Sequence, residues 1–69
     1  MERYKNRNSG IKAYQIGSDY ILVKFDSFKT YKYSYNKAGQ LKVEKMKILA
    51  VRGKGLNSFI NRYAKYSYD

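Results

Sequence analysis

The segment Gly53-Lys54-Gly55-Leu56-Asn57 contains residue types that can hold an anion such as a phosphate group. A helix that begins near Leu56 has free backbone N–H groups in its first turn, and these groups attract negative charge. Lys54 adds a positive charge beside them. The segment is not a Walker A loop, because neither Ser nor Thr follows the lysine and no predicted strand precedes it. The alternative is structural: Gly53 ends one helix and Gly55 permits a tight turn into the next.

Positive charge continues from this turn along the hydrophilic side of the helix that is predicted after it. Arg62 and Lys65 share that side with Asn57 and Asn61. Such a surface either contacts phosphates or is simply solvated. The residues of this region that we predict to contact nucleic acid are Lys54, Gly55, Asn57, Arg62 and Lys65.

Three alternating tyrosines upstream, Tyr31, Tyr33 and Tyr35, have the spacing of one face of a strand. Aromatic faces beside basic side chains stack on the bases of single strands, but such a stripe is also typical of a hydrophobic core. The sequence leaves both alternatives open. If the tyrosines are core, the opposite face of the sheet exposes Tyr20, Lys24, Thr30, Lys32 and Ser34. We therefore add Lys32 and the strand-end Tyr35 to the predicted nucleic-acid-binding residues.

The chain as a whole is strongly basic. Its 69 residues include 15 Lys and Arg against 5 Asp and Glu, which gives a formal net charge of +10 and a pI near 9.9. A field of this density attracts polyanions and speeds their encounter. The candidate partners are nucleic acid, an anionic membrane surface and an acidic protein. The alternative is that the charge only keeps a small protein in solution.

Residue types that support catalysis are scarce in this chain. It has neither His nor Cys, so nucleophile–His arrangements, disulfides and the commonest nitrogen and sulfur ligands of metals are excluded. The carboxylates form no pair at a spacing that would place two of them on a shared face: Glu2, Asp19, Asp26, Glu44 and Asp69. The sequence therefore predicts no enzyme, no catalytic residue, no metal site and no cofactor.

Three predicted strands and two predicted helices position these candidate residues. Alternation of apolar and polar residues predicts strands at Ile11–Ile16, at Tyr20–Phe25 and roughly at residues 29–35. The period then changes to about 3.6, and a first helix begins near Lys42 and ends at Gly53. Its apolar arc consists of Val43, Met46, Leu49, Ala50 and Gly53.

Residues 56–66 form the second predicted helix, which divides into one apolar and one polar side. Its apolar side consists of Leu56, Phe59, Ile60, Tyr63, Ala64 and Tyr66. The predicted fold is therefore α+β, a three-stranded antiparallel meander followed by two C-terminal helices packed on one face. Residues 1–9 are predicted to be a flexible basic arm, and residues 10–69 a single domain.

The chain resembles the KTSC domain, a small family named for its occurrence at the C-terminus of some lysyl-tRNA synthetases. The resemblance covers roughly residues 9–68. It is carried by Ile11 after Ser9, Leu22-Val23-Lys24-Phe25, Tyr31-Lys32-Tyr33, Val43, Met46, Leu49-Ala50 and Gly53-Lys54-Gly55-Leu56-Asn57. None of these is a catalytic signature. The resemblance implies a free-standing bacterial or phage domain and, by analogy with the synthetases, binding to RNA.

The function expected from the sequence is a small non-enzymatic nucleic-acid-binding module that contacts the phosphates of RNA or single strands. The alternative is a protein-interaction module, such as a small phage or mobile-element protein that modulates a host protein. The exposed side of the first helix around Ile48 and Val51 favours this second function. No stretch approaches the ~20 apolar residues that span a bilayer, so we expect no membrane segment and a cytoplasmic location.

Overall fold

The protein, in a computed structural model that describes all of residues 1–69, is an antiparallel sheet with helices packed on one side of it. The sheet has four strands in the order of the chain: β1 (Glu2–Arg3), β2 (Ile11–Ile16), β3 (Tyr20–Phe25) and β4 (Thr30–Ser34). The helical elements that follow are α1 (Tyr35–Ala38), α2 (Gln40–Arg52), α3 (Leu56–Phe59) and a π-helical segment (Ile60–Ala64). The predicted α+β class is confirmed.

Alternation along the strands separates a covered face from an open one. Residues directly opposite each other in paired strands point to the same side, and Ile21 lies opposite Tyr33 while Val23 lies opposite Tyr31. Ile21, Val23 and Tyr33 are buried and Tyr31 is half-buried, so Tyr31 and Tyr33 belong to the core and not to a stacking surface. Tyr68 packs on both rings, with centroid distances of 4.5 Å to Tyr31 and 6.4 Å to Tyr33. Burial raises the pKa of the Tyr33 phenol to about 12.

The predicted number of strands was wrong, because β1 adds a fourth strand. It lies within residues 1–9, which the sequence analysis assigned to a mobile arm, and both of its residues pair with β2. The following residue, Tyr4, is 2% exposed, and its backbone N–H donates to the carbonyl of Lys12 at 2.9 Å. The Tyr4 hydroxyl accepts a hydrogen bond from the backbone N–H of Leu56 at 3.2 Å. This bond connects the start of the chain to the start of α3.

The last strand ends one residue earlier than predicted, because Ser34 caps a helix that begins at Tyr35. The Ser34 hydroxyl accepts a hydrogen bond from the backbone N–H of Lys37 at 3.3 Å, which satisfies one of the free donors at the start of α1. Tyr35 is therefore the first residue of α1 and does not continue the tyrosine stripe of β4. Gly39, at φ 93°, separates α1 from α2.

The apolar arc predicted for the first helix is confirmed in α2. Val43, Met46 and Ala50 are fully buried, and Leu49 is nearly so. Gly53 ends α2 in the left-handed conformation at φ 77°, and its N–H lies within hydrogen-bonding distance of the carbonyls of Leu49 and Ala50.

The last helix differs from the prediction after its first turn. Leu56, Ile60 and Ala64 are buried, but Tyr63 and Tyr66 are 53% and 76% exposed, although both were expected on the apolar side. The segment Ile60–Ala64 is π-helical, with i→i+5 hydrogen bonds that place more residues in each turn than an α-helix does. The change of period moves the later residues off the expected arc, and both tyrosines face solvent.

The two edges of the sheet differ. On one side the edge strand, β1, is only two residues long. On the other side the backbone N–H of Asp69 donates to the carbonyl of Lys32 in β4 at 2.8 Å. The Ser34 hydroxyl donates to the Asp69 carboxylate at 2.7 Å. Asp69 therefore covers part of the edge formed by β4.

Candidate nucleic-acid interface

The face of the sheet that points away from the helices is open to solvent. We define the open sheet face by the strand residues on this side: Arg3, Ala13, Gln15, Tyr20, Leu22, Lys24, Thr30 and Lys32. None of them is buried. The face that the sequence predicted for the case of core tyrosines is therefore confirmed with one exception. Ser34, predicted as part of it, is buried at the start of α1.

Three cations lie along a path that crosses the strands of the open sheet face. Arg3 on β1 lies opposite Ala13 on β2, and Ala13 lies opposite Lys24 on β3. Two strand spacings place the backbones of Arg3 and Lys24 about 10 Å apart. Lys24 pairs with Thr30, which makes Lys32 its diagonal neighbour on β4, at a backbone separation of about 7–8 Å. An extended polyanion laid across the strands would meet all three cations.

Each lysine of the open sheet face lies beside an aromatic ring. The ammonium group of Lys32 lies 5.1 Å from the centroid of the Tyr20 ring. The ammonium group of Lys24 lies 5.7 Å from the centroid of Phe28, in the turn between β3 and β4. Both distances are within the range of cation–π attraction. The face therefore presents charge and aromatic surface together at each end of β3.

No carboxylate lies on the open sheet face. Glu2 is on the opposite side of β1, because it pairs with the core residue Tyr14. The Asp69 carboxylate is at the outer edge of β4, where Ser34 donates to it. The one ion pair in the chain joins Lys47 and Glu44 on α2, at 2.8 Å. No cation of the open sheet face is therefore held in an ion pair.

More positive charge continues from Arg3 into the segment between β1 and β2 and the start of β2. Arg3, Arg7 and Lys12 line a surface depression of about 280 Å³, together with Asn6. This depression adjoins a smaller polar one of about 220 Å³, which Asn6 shares with Gly55 and Asn57. The N-terminal segment thus connects the open sheet face to the turn before α3.

The turn before α3 contains Lys54, Gly55 and Asn57, three of the predicted contact residues. Lys54 and Gly55 are exposed and Asn57 is half-buried. The Leu56 N–H, at the start of the helix whose free N–H groups were predicted to hold an anion, donates to the hydroxyl of Tyr4. The left-handed Gly55, at φ 86°, begins a helix of only four residues. One of the backbone N–H groups that a bound phosphate would need is therefore already hydrogen-bonded within the protein.

Arg62 and Lys65, predicted on the same patch, lie in or just beyond the π-helical segment and are exposed. Arg62 and Gly55 line one broad depression of about 670 Å³. The Lys65 ammonium group lies 5.7 Å from the centroid of the exposed Tyr66. Lys32 is on the open sheet face and is separated from these residues by the sheet itself. The predicted residues are thus divided between two sides of the molecule.

Tyr35, the remaining predicted contact residue, is part of a small polar cluster on the helical side. Its hydroxyl donates to the carboxylate of Glu44, and Lys47 donates both to that carboxylate and to the carbonyl of Ser18, at 3.1 Å. The hydrogen bond to Glu44 is the main cause of a raised pKa of the Tyr35 phenol. Hydrogen bonds from Lys47 and then Tyr35 lower the pKa of Glu44, and the bond to Glu44 raises the pKa of Lys47. This cluster connects α1, α2 and the turn between β2 and β3.

Sequence reasoning did not include Arg3, Lys24 or Phe28 among the contact residues. Lys24 was placed on the correct face by alternation, and counting charges on that face would have selected it. Arg3 had no such signal, because a strand of two residues has no measurable period. The aromatic residue Phe28 follows Asp26-Ser27, which indicated a turn but not the exposure of the ring.

Two features that would point to other functions were not found. No group of three or more His, Cys, Asp or Glu side chains lies close enough together to bind a metal ion. None of the helices has the length and apolar character required to cross a membrane.

Comparison with known proteins found no match. No family model, no curated protein and no solved structure matches this chain. The resemblance to the KTSC family therefore stays a prediction.

Proposed function

We propose that this chain is a small non-enzymatic module that binds nucleic acid, and that it does so through the open sheet face. The observation that carries this proposal is the path of Arg3, Lys24 and Lys32 across a solvent-exposed sheet without a carboxylate among them. Phosphate contacts of this kind contribute affinity without selecting a sequence.

The charge balance of the whole molecule supports the proposal. Of 15 Lys and Arg side chains, one is held in an ion pair with a carboxylate. The others can release counterions when they meet phosphates, and this release is the main source of sequence-independent affinity. The open sheet face is where such cations combine with a wide, uncovered surface.

The shape of the face favours an extended single strand over a regular duplex. Four strands span three spacings, or about 14 Å of backbone, before side chains are counted. The major groove of B-DNA is about 12 Å wide and admits a helix or a two-stranded ribbon. A four-stranded sheet is thus too broad to enter it, whereas an unpaired strand can lie flat across the sheet. RNA and single-stranded DNA are the proposed ligands.

Salt-dependent binding of labelled single-stranded RNA, single-stranded DNA and duplex DNA tests the proposal. Lys24→Gln, Lys32→Gln and Arg3→Gln should each weaken binding to all single strands alike and reduce the slope of log affinity against log salt by about 0.7–1. The matched control is Lys45→Gln, since Lys45 is exposed on α2, on the other side of the sheet.

Two results would remove the proposal. One is the absence of binding at moderate salt, or a slope near zero for the unmodified protein. The other is an equal loss from Lys45→Gln, which would mean that total charge and not the open sheet face determines affinity.

A second candidate function is supported by an apolar surface on the helical side. Ile16 and Val51 line a depression of about 430 Å³ with Met1, and all three are at least 42% exposed. Ile48, one turn before Val51 on α2, extends this surface and is 55% exposed. Exposed apolar clusters of this kind often contact another protein. A single stoichiometric protein partner that survives nuclease and high salt would favour this function.

A further inference from the structure

Phe28 combines two properties that are uncommon for a large aromatic residue. It is the one non-glycine residue with a positive φ, 68°, and its side chain is 79% exposed. Its backbone N–H donates to the carbonyl of Phe25, and the N–H of Phe25 donates to the carbonyl of Lys29, each at 2.9 Å. A turn of this type commonly has glycine at the left-handed position. The chain therefore has a large ring where the backbone disfavours it and where the ring buries little surface.

The position of the ring connects it to the proposed binding surface. Lys24 points out of the open sheet face, and its ammonium group lies over the Phe28 ring at 5.7 Å from the centroid. Phe28 is also outside the group of aromatic residues that pack against the core. The ring therefore lies at one end of the open sheet face, and most of it remains free to contact a ligand.

A second ring is found at the other end of β3. Tyr20 is on the open sheet face, and Lys32 lies 5.1 Å from its centroid. Tyr20 and Lys24 are four residues apart on one strand, which corresponds to about 13 Å. Leu22 lies between them on the same face. The Tyr20 ring is half-buried and lies against Gly17, so Phe28 is the ring of this surface with the larger free face.

We propose that Phe28 is a base-stacking subsite, so that the open sheet face selects unpaired nucleotides. This inference rests on the proposed function and adds the basis of its selectivity. In a duplex the faces of the bases are stacked on each other and cannot meet a protein ring. In a single strand they are free, and stacking on aromatic side chains is tolerant of sequence because every base has a π face. Lys24 and Lys32 then contact phosphates near the stacked base.

The test compares binding of oligouridine, oligodeoxythymidine and duplex DNA at one salt concentration. Phe28→Ala should weaken binding to both single strands about 5- to 150-fold, the range expected for losing one stacked base, and should change duplex binding little. Tyr66→Ala is the matched control, because Tyr66 is also an exposed ring beside a lysine but lies on the helical side. It should bind all three ligands as the unmodified protein does.

Phe28→Trp gives an independent measurement. The chain contains no Trp, so the new indole is the sole tryptophan fluorophore, and stacking on a base quenches its emission. We expect quenching by single strands but not by duplex at equal occupancy. In Tyr66→Trp, the same ligands should leave the emission unchanged.

The outcomes separate the two proposals. If Phe28→Ala binds single strands like the unmodified protein while Lys24→Gln and Lys32→Gln weaken binding, the stacking inference fails and the proposed function stands. Equal losses on single strands and duplex would also overturn stacking. If the unmodified protein binds no nucleic acid, both proposals fail. Binding of vesicles containing phosphatidylserine that depends on Phe28, without binding of oligonucleotides, would likewise overturn both and assign the ring to a lipid surface.

Discussion

The left-handed backbone at Phe28 predicts an unusual order of stability for two substitutions. Phe28→Ala and Phe28→Gly both remove the ring and its contact with Lys24, so that loss cancels when the two variants are compared. The remaining difference in stability comes from the backbone conformation at residue 28. At an ordinary exposed position alanine is the more stable of the two by about 0.5–1 kcal/mol, because glycine has more freedom to lose on folding. At φ 68° the order should reverse.

The size of the reversal follows from the cost of a Cβ in this region. A left-handed conformation costs a non-glycine residue about 1–2 kcal/mol, and the entropic disadvantage of glycine offsets about half of that. Phe28→Gly should therefore be more stable than Phe28→Ala by about 0.5–1 kcal/mol. For a domain of this length the melting temperatures should differ by about 2–8 °C.

Thermal unfolding followed by circular dichroism, together with urea titration, measures this difference. The two variants should have the same urea m-value, since they expose the same surface on unfolding. Equal melting temperatures, or a more stable alanine variant, would refute the reasoning that the turn holds Phe28 in strain. Because both variants lack the ring, they should also lose single-strand binding to the same extent, which separates stability from binding.

Three further predictions follow from buried or coupled polar groups. Tyr4→Phe leaves the N–H of Leu56 without its partner and should lower the free energy of unfolding by about 1–3 kcal/mol in urea titration; no loss would mean that water replaces the hydroxyl. The pKa of Tyr33 rises from 10.0 to about 12 on folding, so the unfolded state loses its proton first. The free energy of unfolding should therefore fall by at most about 2–3 kcal/mol as pH rises through this interval. Tyr33→Phe should remove this part of the alkaline loss of stability. The pKa of Glu44 is lowered in the folded protein. The stability from its bonds to Lys47 and Tyr35 is therefore present above its ordinary pKa of 4.5 and is lost as pH falls through the lowered value. In acid titration Glu44→Gln should remove this part of the pH dependence, and an unchanged profile would contradict the assignment.

Strand β3 and helix α2 could be predicted from sequence because their signals are local. In β3 the alternation of Ile21 and Val23 with Leu22 and Lys24 fixes both the strand and its two faces. In α2 the spacing of the buried residues and the glycine after Arg52 fix the helix and its end. In both elements each residue prefers the structure that the whole chain adopts.

The features that were missed depend on contacts far apart in the sequence. Tyr4 is buried in the core, where its hydroxyl accepts from the N–H of Leu56, 52 residues later. No local pattern around Tyr4 contains this information. The exposure of Tyr63 follows from a change of helical period, and the side chains of Ile60–Ala64 are compatible with an ordinary helix as well. The start of α1 did have a local signal, since Ser34 precedes it as a helix cap.

The residues of the candidate interface were likewise predicted only where their signal is local. Alternation placed Lys24 and Lys32 on one face, and only the pairing of β1 with β2 brings Arg3 to join them. The predicted patch around Lys54 combined residues that the fold separates from Lys32, because a linear sequence does not show which side of a sheet its helices cover.

The borders of the sheet have a consequence for how this molecule behaves in crowded solution. A long row of unpaired backbone groups is a template on which a second molecule can add its own strand. Here one border strand is two residues long and includes Arg3. At the other border the backbone N–H of Asp69 donates a hydrogen bond to the carbonyl of Lys32. Lateral stacking into fibrils is thereby discouraged, and mutual repulsion at a net charge of +10 acts in the same direction. Concentrated samples should consequently remain free of cross-β aggregates.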